Sequence, residues 1–313
     1  MTLSIEDLKV QYKSRDRTVN AVDGASFLLE NNESIGIVGE SACGKSTLGL
    51  AIIRSVSGGE VVSGDILLDG TSILKISEEE FAKTVRWKKI SMVFQGAMNS
   101  LDPVFSIKEQ FEEVLKSHSR DGNHLKMINE VIDAVGLSPS VLGKFPHELS
   151  GGMKQRVVIA MALLLKPRLV IADEPTTALD VLVQAQILSL LKKLKKDGMS
   201  FVLISHDLGI ISEIADKVGI MYAGKIVEFG TLQEVYSEPK HPYTQALLKS
   251  MPKIKGEQNL TSLKGNPPSL AAPPKGCRFY DRCVYAKEKC REEPPMNKTR
   301  TGYVSCWLYE ETK

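Results

Sequence analysis

A glycine-rich segment near the N-terminus constrains the fold of this chain more than any other feature. It reads GESACGKST, spans residues 39–47, and lies between an apolar stretch, ESIGIVG, and a helix-like segment, STLGLAIIRSV. Glycines at its first and sixth positions permit bends that turn successive backbone N–H groups inward, and the following helix adds the positive end of its dipole. The pattern therefore predicts a strand, an anion-binding turn and a helix, the opening of an α/β fold.

The residue types in this turn suit a nucleoside triphosphate. Lys45 is expected to neutralise the β- and γ-phosphates, and Ser46 offers a hydroxyl to Mg²⁺. The backbone of the whole turn is expected to wrap the phosphates. We therefore predict nucleotide contacts from Gly39, Glu40, Ser41, Ala42, Cys43, Gly44, Lys45, Ser46 and Thr47.

Two adjacent carboxylates end a second apolar segment, LVIADEP. At the carboxyl edge of a parallel sheet they would face the same crevice as the phosphate-binding turn. Asp173 is expected to hold Mg²⁺, directly or through water, and Glu174 to polarise the attacking water. His206 follows a further apolar segment, MSFVLIS, from which a neutral imidazole would reach the γ-phosphate.

Composition narrows the class of protein. The chain has 313 residues, of which 42% are hydrophobic and 25% charged, enough for one large α/β domain and a smaller appendage. Its 40 basic and 38 acidic residues leave no electrostatic footprint for nucleic acid, so we expect no such partner. The longest apolar run, 157–165, is too short to span a bilayer, and no signal peptide is evident. We therefore expect a cytosolic protein, which would have to dock onto another protein if it works at a membrane.

The hydrophobic pattern predicts the order of elements. The first ~30 residues alternate as strands do, the stretch from about 81 to 165 is mostly helical, and a helix is expected over 181–196. Strands that alternate with helices predict a mostly parallel sheet covered on both faces. Proline and glycine dominate from about residue 250, which predicts a linker at 251–276 between a domain at 1–250 and a cysteine-rich module at 277–313.

Six motifs in order resemble those of the ABC (ATP-binding cassette) ATPases. LSGGMKQR at 149–156 joins GESACGKST, the VFQ that ends at Gln95, LVIADEP, TALD and SHD. The resemblance covers roughly residues 1–250. It implies an ABC-type P-loop NTPase, in which a RecA-like, mostly parallel sheet is joined by an antiparallel β subdomain and by a helical subdomain at about 96–165. The implied activity is Mg²⁺-dependent ATP hydrolysis.

The same resemblance implies a head-to-tail dimer with ATP held between the subunits. Ser150, Gly151 and Gly152 of the LSGG segment would contact the γ-phosphate of ATP bound to the partner. They precede a helical segment, and a helix N-terminus suits an anion.

Four single residues receive roles from the resemblance. Gln95 would link Mg²⁺ to the helical subdomain, and Asp180 would cross the dimer interface. His206 would be the switch histidine, and Tyr12 would stack on adenine.

A narrower resemblance covers the C-terminal part. EPKHPYTQALLKSMP, GNPPSL and GCRFYDRCVYAKEKC are similar to the C-terminal extension of dipeptide and oligopeptide transporter ATPases, most of all the dipeptide-type D subunit. This implies a motor for peptide import, with a second homologous ATPase subunit, two integral membrane permease subunits and an extracytoplasmic solute-binding protein. A homodimer in isolation, a soluble ABC ATPase not coupled to transport, and a related importer of nickel or oligosaccharide are the alternatives.

The cysteines are clustered at the C-terminal end. A reducing cytosol disfavours disulfides, and structural zinc usually uses C-x₂₋₄-C pairs, which this module lacks. A cubane cluster is held by four thiolates, and some dipeptide-type subunits carry a [4Fe–4S] cluster in this extension. We therefore expect such a cluster, with zinc or free thiols as alternatives, on Cys277, Cys283, Cys290 and Cys306.

The fifth cysteine, Cys43, lies in the phosphate-binding turn. Its proximity to Lys45 and to a helix N-terminus favours the thiolate, and the alternative is a small side chain that only fills space in the loop and has no redox role. Alkylation of Cys43 is therefore expected to block ATP binding, and ATP is expected to protect the thiol.

Overall fold

The computed structural model describes residues 1–14, 17–118, 123–177, 179–250, 263 and 265–310. These residues form two compact units, each assembled from separate stretches of the chain. The first unit consists of the described residues of Met1, Asn31–Ser34 and Lys75–Ile204. The second consists of those of Thr2–Glu30, Ile35–Leu74 and Ser205–Lys313, so it includes both the phosphate-binding turn and the cysteine-rich module.

The strands and helices are numbered in chain order. The strands are β1 (Leu3–Ser14), β2 (Arg17–Leu29), β3 (Ser34–Val38), β4 (Gly59–Leu68), β5 (Thr71–Ser72), β6 (Ile90–Val93), β7 (Leu169–Asp173), β8 (Ser200–Ser205), β9 (Lys217–Tyr222), β10 (Lys225–Thr231), β11 (Met296–Lys298) and β12 (Tyr303–Ser305). The helices are α1 (Lys45–Ile52), α2 (Glu78–Thr84), α3 (Ile107–His118), α4 (His124–Ala134), α5 (Gly151–Leu163), α6 (Val181–Lys196), α7 (Leu208–Ser212), α8 (Leu232–Ser237) and α9 (Pro242–Lys249).

Parallel strands form the sheet of the first unit. β7 pairs in parallel with β6 on one side and with β8 on the other. Every residue of β7 is buried, as expected for a parallel strand that is covered on both faces. Helices α3, α4 and α5 pack against one another within the range 96–165.

The second unit contains antiparallel pairings around the phosphate-binding turn. Strands β2, β1, β4 and β5 form a four-stranded antiparallel sheet in that order. β3 pairs in parallel with β9, and β9 pairs antiparallel with β10. The hairpin of β11 and β12 then adds to the free edge of β10, so the cysteine-rich module extends this sheet.

The C-terminal module is anchored by an aromatic cluster, which we define as Tyr222, Tyr243 and Phe279. The ring centroid of Phe279 lies 5.2 Å from that of Tyr222 and 5.4 Å from that of Tyr243. All three side chains are buried. A segment this short lacks enough apolar residues for a core of its own, so it is stabilised by packing on the rest of the unit.

The helix predicted over 181–196 is confirmed as α6. β6 lies inside the stretch predicted to be mostly helical, because a strand of four residues, one of them Ser91, is too short to be recognised by periodicity. Of the predicted linker, residues 251–262 and 264 lie outside the described residues, and the predicted domain boundaries stay a prediction. In the part of the chain that the structure describes, every helix is too short or too polar to serve as a transmembrane span.

Candidate functional site

The phosphate-binding turn connects β3 to α1 and is closely packed at both of its predicted glycines. Gly44 has a φ of 106°, and a Cβ there would lie 2.0 Å from the carbonyl oxygen of Ala21. A Cβ on Gly39 would lie 2.0 Å from the carbonyl oxygen of Met221. Since both neighbours are backbone atoms, neither position accepts a side chain.

Lys45 folds back over the turn that precedes it. Its Nζ donates hydrogen bonds to the carbonyl oxygens of Gly39, at 2.8 Å, and Glu40, at 2.9 Å. The residue is only 5% exposed, so the ammonium group is held in the middle of the turn. The predicted contact of Lys45 with phosphate oxygens stays a prediction.

Glu40 is bound through its backbone and its side chain. Its N–H donates to the hydroxyl oxygen of Tyr243 at 3.0 Å. Its carboxylate accepts two hydrogen bonds from the guanidinium of Arg282, at 2.8 and 2.9 Å. Neither Tyr243 nor Arg282 is predicted from the sequence to have a role here, because nothing local in the chain relates them to residue 40.

Cys43 does not favour the thiolate, contrary to the expectation from its neighbours. The side chain is 3% exposed, and burial raises the pKa of the thiol more than the nearby Lys45 ammonium lowers it. Desolvation disfavours the charged form and here outweighs the attraction to a cation. Cys43 is therefore a small buried side chain of the turn.

Tyr12 lies beside the end of the same turn. Its hydroxyl oxygen is 3.5 Å from Oγ1 of Thr47, and its ring is half-buried on β1. The predicted stacking on adenine stays a prediction.

In the first unit, the carboxylate of Glu174 is oriented by two neighbours. Nε2 of Gln95 and Oγ1 of Thr177 both donate hydrogen bonds to Oε2 of Glu174, at 3.2 and 2.9 Å respectively. The structure thus brings Gln95 and Glu174 together and adds Thr177, which the sequence analysis missed. Asp173 precedes them at the end of β7 and is 2% exposed.

The backbone at Glu174 is strained. Its φ is 48°, a left-handed conformation that is uncommon for residues other than glycine. The N–H of Glu174 donates to the carbonyl oxygen of Ile204 at 2.8 Å, which fixes this conformation at the end of β7. Strain of this kind is concentrated at functional sites.

The LSGG segment and Asp180 form two neighbouring helix starts. The Ser150 hydroxyl accepts a hydrogen bond from the N–H of Met153 and caps α5, while Asp180 accepts from the N–H of Val183 and caps α6. A Cβ on Gly152 would lie 2.6 Å from Cγ1 of Val183, so a glycine here allows the two helix starts to approach.

His206 directly follows β8 and is exposed. The next residue, Asp207, donates its N–H to the hydroxyl of Ser205 at 2.9 Å, which turns the chain away from the strand. The role of His206 as switch histidine stays a prediction.

The four C-terminal cysteines line one small cavity together with His241 and Phe279. They are free thiols, and burial raises the pKa of Cys277 to about 12 and also raises the pKa values of Cys283 and Cys306. Four thiols are the right donors for an iron–sulfur cluster. Their arrangement is not that of a formed site, because the described residues include no group of three or more His, Cys, Asp or Glu side chains that would hold a metal ion.

Comparison with known proteins decides the family. Residues 22–177 match the family described as ABC transporter, and residues 227–290 match the family described as oligopeptide/dipeptide transporter, C-terminal region. The chain is 45% identical over 317 residues to the oligopeptide transport ATP-binding protein OppD of Bacillus subtilis, covering 98% of this chain and 88% of OppD. The chain belongs to the ATP-binding subunits of the oligopeptide and dipeptide ABC transporters.

Other relatives agree on the family but do not separate its two types. The dipeptide transport ATP-binding protein DppD of Caldanaerobacter subterraneus subsp. tengcongensis is 42% identical over 318 residues, covering 99% of this chain and 97% of DppD. The oligopeptide transport ATP-binding protein AppF of Bacillus subtilis is 45% identical over 304 residues, covering 93% of this chain and 90% of AppF. Since the D-type OppD and the F-type AppF are equally identical to this subunit, these values do not decide between the two types.

Solved structures confirm the predicted ABC-type fold. A dimeric ATP-binding cassette in a post-hydrolysis state, bound to ADP and phosphate, has a TM-score of 0.66 at 26% identity, covering 74% of this chain and 98% of that chain. The cbiO1 subunit from Clostridium perfringens has a TM-score of 0.64 at 29% identity, covering 75% of this chain and 90% of that chain.

We predict that Cys43 reacts slowly with iodoacetamide at neutral pH. Because burial raises the pKa of Cys43, the fraction of thiolate at a given pH below that pKa is smaller than for an exposed cysteine. The rate of alkylation should therefore still increase with pH above pH ~9. The rate should be followed by mass spectrometry of the folded protein between pH 7 and 10, with the unfolded protein as control. A rate that is already constant below pH ~8 contradicts this assignment.

Proposed function

We propose that this ABC ATPase powers the import of di- and oligopeptides from the cytoplasmic face of the cell membrane. The proposal rests on one observation above all: the carboxylate of Glu174, at the end of a buried strand, is oriented by hydrogen bonds from Gln95 and Thr177. That geometry suits a group that polarises water for attack on a phosphoryl group. The peptide cargo is inferred from the match of residues 227–290 and from the relatives described as peptide transporters.

We assign distinct roles in hydrolysis to the two units. In the second unit, Lys45 and the backbone N–H groups of the turn bind the phosphates of ATP. In the first unit, Glu174 accepts a proton from the attacking water. The oxygen of that water bonds to the γ-phosphorus, while the bond from the γ-phosphorus to the bridging oxygen breaks and ADP leaves with that oxygen. Mg²⁺ would neutralise developing charge on the phosphates. Ser46, Gln95 and the buried carboxylate of Asp173 offer the oxygen ligands that Mg²⁺ prefers.

We propose that the active assembly is a heterodimer with a second, homologous ATPase subunit. Its ATP would lie between the turn of one subunit and Ser150, Gly151 and Gly152 of the other, while Asp180 crosses the interface. Directly after Asp180, the side chains of Val181 and Leu182 are 83% and 71% exposed. Apolar side chains exposed in this way at a helix start support an interface there.

The membrane partners in this proposal are two permease subunits, with an extracytoplasmic solute-binding protein that delivers the cargo. Val104 and Phe105, which precede α3, are 73% and 48% exposed and offer an apolar contact for a permease segment. A soluble ABC ATPase uncoupled from transport is disfavoured, because residues 227–290 match a region described for transporters.

We also propose that Cys277, Cys283, Cys290 and Cys306 bind a [4Fe–4S] cluster. The support is that all four thiols line one cavity. Loading would require the thiols to rearrange and lose their protons, since their present arrangement would not hold a metal ion. The cluster would be structural or regulatory, because the residues assigned to phosphate chemistry lie elsewhere.

We predict that Glu174→Gln binds ATP normally but loses turnover. Removal of a water-activating base typically lowers the rate by ~10²–10⁴. Thr177→Val removes one of the two hydrogen bonds to the carboxylate, and its rate of ATP hydrolysis should lie between those of Glu174→Gln and the wild type. ATPase assays and nucleotide-binding measurements should be compared with Glu113→Gln, an exposed glutamate on α3. Near-normal hydrolysis by Glu174→Gln rules out the proposed role.

The cargo is tested with the assembled complex in vesicles. A solute-binding protein loaded with a di- or oligopeptide should stimulate ATP hydrolysis, and the stimulation should vanish with Glu174→Gln. The purified complex should also contain a second homologous ATPase and two membrane subunits. Stimulation by nickel or oligosaccharide alone contradicts the peptide assignment while leaving the ATPase assignment intact.

Protein purified without oxygen tests the cluster. We expect brown protein with about four irons per chain, as four thiolates hold a cubane. Cys283→Ser should lose the colour and the iron, whereas Cys43→Ser, which lies outside the module, should keep both. Colourless protein with one zinc per chain, or with no metal, refutes the cluster.

A further inference from the structure

Three separate groups of Glu40 make hydrogen bonds, and two of these groups are held by distant parts of the second unit. Its carbonyl oxygen accepts from Lys45, its N–H donates to Tyr243, and its carboxylate binds Arg282. Tyr243 lies on α9 and Arg282 in the cysteine-rich module, far along the chain. The second residue of the phosphate-binding turn is therefore fixed largely by the C-terminal part of the protein.

The contact between Arg282 and Glu40 has the geometry of a strong ion pair. Two guanidinium nitrogens donate to the two carboxylate oxygens, at 2.8 and 2.9 Å, in the fork arrangement that Arg and carboxylate prefer. The Arg282 side chain is only 5% exposed and that of Glu40 24% exposed, so water screens the pair weakly.

The aromatic cluster orients this guanidinium. Arg282 donates a hydrogen bond to the hydroxyl of Tyr222 at 3.1 Å. It also lies over the rings of Tyr222 and Phe279, with its central carbon 5.7 and 5.9 Å from their centroids. The favourable interaction of a cation with an aromatic face adds to the ion pair. Arg282 is thus held in place before any ligand binds.

A second arginine of the module reaches the turn indirectly. Arg278 donates to the carbonyl oxygen of Ala223 and pairs with Asp23. Gly224, which follows Ala223, donates its N–H to the carbonyl oxygen of Cys43 at 2.8 Å. The module therefore supports the turn at its second residue and, through the β9–β10 connection, at its fifth.

The charge of Glu40 makes this support relevant to nucleotide. A carboxylate carried by a phosphate-binding turn repels the negative charge of a bound nucleotide, and an adjacent guanidinium cancels that charge. The same ion pair fixes the backbone of Glu40, which accepts from Lys45. Loss of Arg282 would therefore leave an uncompensated charge and a less ordered turn.

We propose that Arg282 of the cysteine-rich module is a positioning residue for the ATP site, acting through Glu40. The module contributes to nucleotide affinity by neutralising Glu40 and holding it in place, and it does not touch the reacting phosphate. This role depends on ATP binding alone, and not on the cargo or on what the four cysteines bind.

A double-mutant cycle on the isolated full-length subunit tests the proposal, with the Kd for Mg-ADP, which is not hydrolysed, as the readout. Arg282→Gln should raise the Kd about tenfold, the effect of about 1.4 kcal/mol. Glu40→Gln, which removes the charge, should raise it by no more than about threefold. In the Glu40→Gln background, Arg282→Gln should add less than about twofold, because its partner charge is gone.

Further variants separate positioning from general damage to the fold. Arg282→Lys keeps the charge and should recover part of the affinity, and the ATPase KM should rise more than kcat falls in Arg282→Gln. Arg291→Gln is the matched control, since this exposed arginine of the same module pairs with Glu288. An unchanged Kd in Arg282→Gln, or the same increase in both backgrounds, overturns the proposal. If Arg282→Gln does not fold, the Kd for Mg-ADP should be compared between Glu40→Gln and Glu40→Gln/Arg282→Lys. A difference of more than twofold would show that Arg282 acts independently of Glu40, and it would overturn the proposal.

Discussion

The close packing of the turn between β3 and α1 is the constraint on which the second unit depends. The carbonyl oxygens of Met221 and Ala21 approach Gly39 and Gly44 so closely that no side chain fits at either position. Because these carbonyls come from different strands, the turn fixes how β2 and β9 pass beside it. The buried Lys45 ammonium then satisfies carbonyl groups of the turn. Binding capacity for phosphate and packing of the unit thus rest on the same backbone.

In the first unit, a single residue combines backbone strain with an ordered side chain. Glu174 adopts a left-handed backbone conformation, and its carboxylate is held by Gln95 and Thr177. Gln95 follows β6, so the parallel pairing of β6 with β7 brings its amide to this carboxylate. Thr177 lies in the same loop as Glu174, so the direction of the acid depends on strand pairing and on loop conformation together.

The sequence predicted those features that depend on neighbouring residues. The glycines and lysine of the turn, the two carboxylates at the end of β7 and the span of α6 all follow from local spacing. The pKa of the Cys43 thiol could not be predicted from local spacing, because it depends on burial, and burial is set by side chains from elsewhere in the fold. Tyr243 and Arg282 were missed because their partner, Glu40, lies 203 and 242 positions away in the chain. Thr177 was missed although it lies only three positions after Glu174, because a hydrogen bond within a loop depends on the backbone conformation of that loop. The four C-terminal cysteines line one cavity, but sequence spacing carries no information on the geometry of the thiols, and their binding of a cluster stays a prediction.

The pairing of Arg282 with Glu40 also has a consequence for the order of folding on the ribosome. The two residues are 242 positions apart. At ordinary rates of synthesis, on the order of 10–50 s elapse between the emergence of one and of the other. Tyr243, the partner of the Glu40 N–H, is 203 positions away and is made before Arg282. Until both residues have been made, the turn has its glycines and Lys45 but lacks these contacts to Glu40, so bound ligand stabilises the growing chain less than the finished protein.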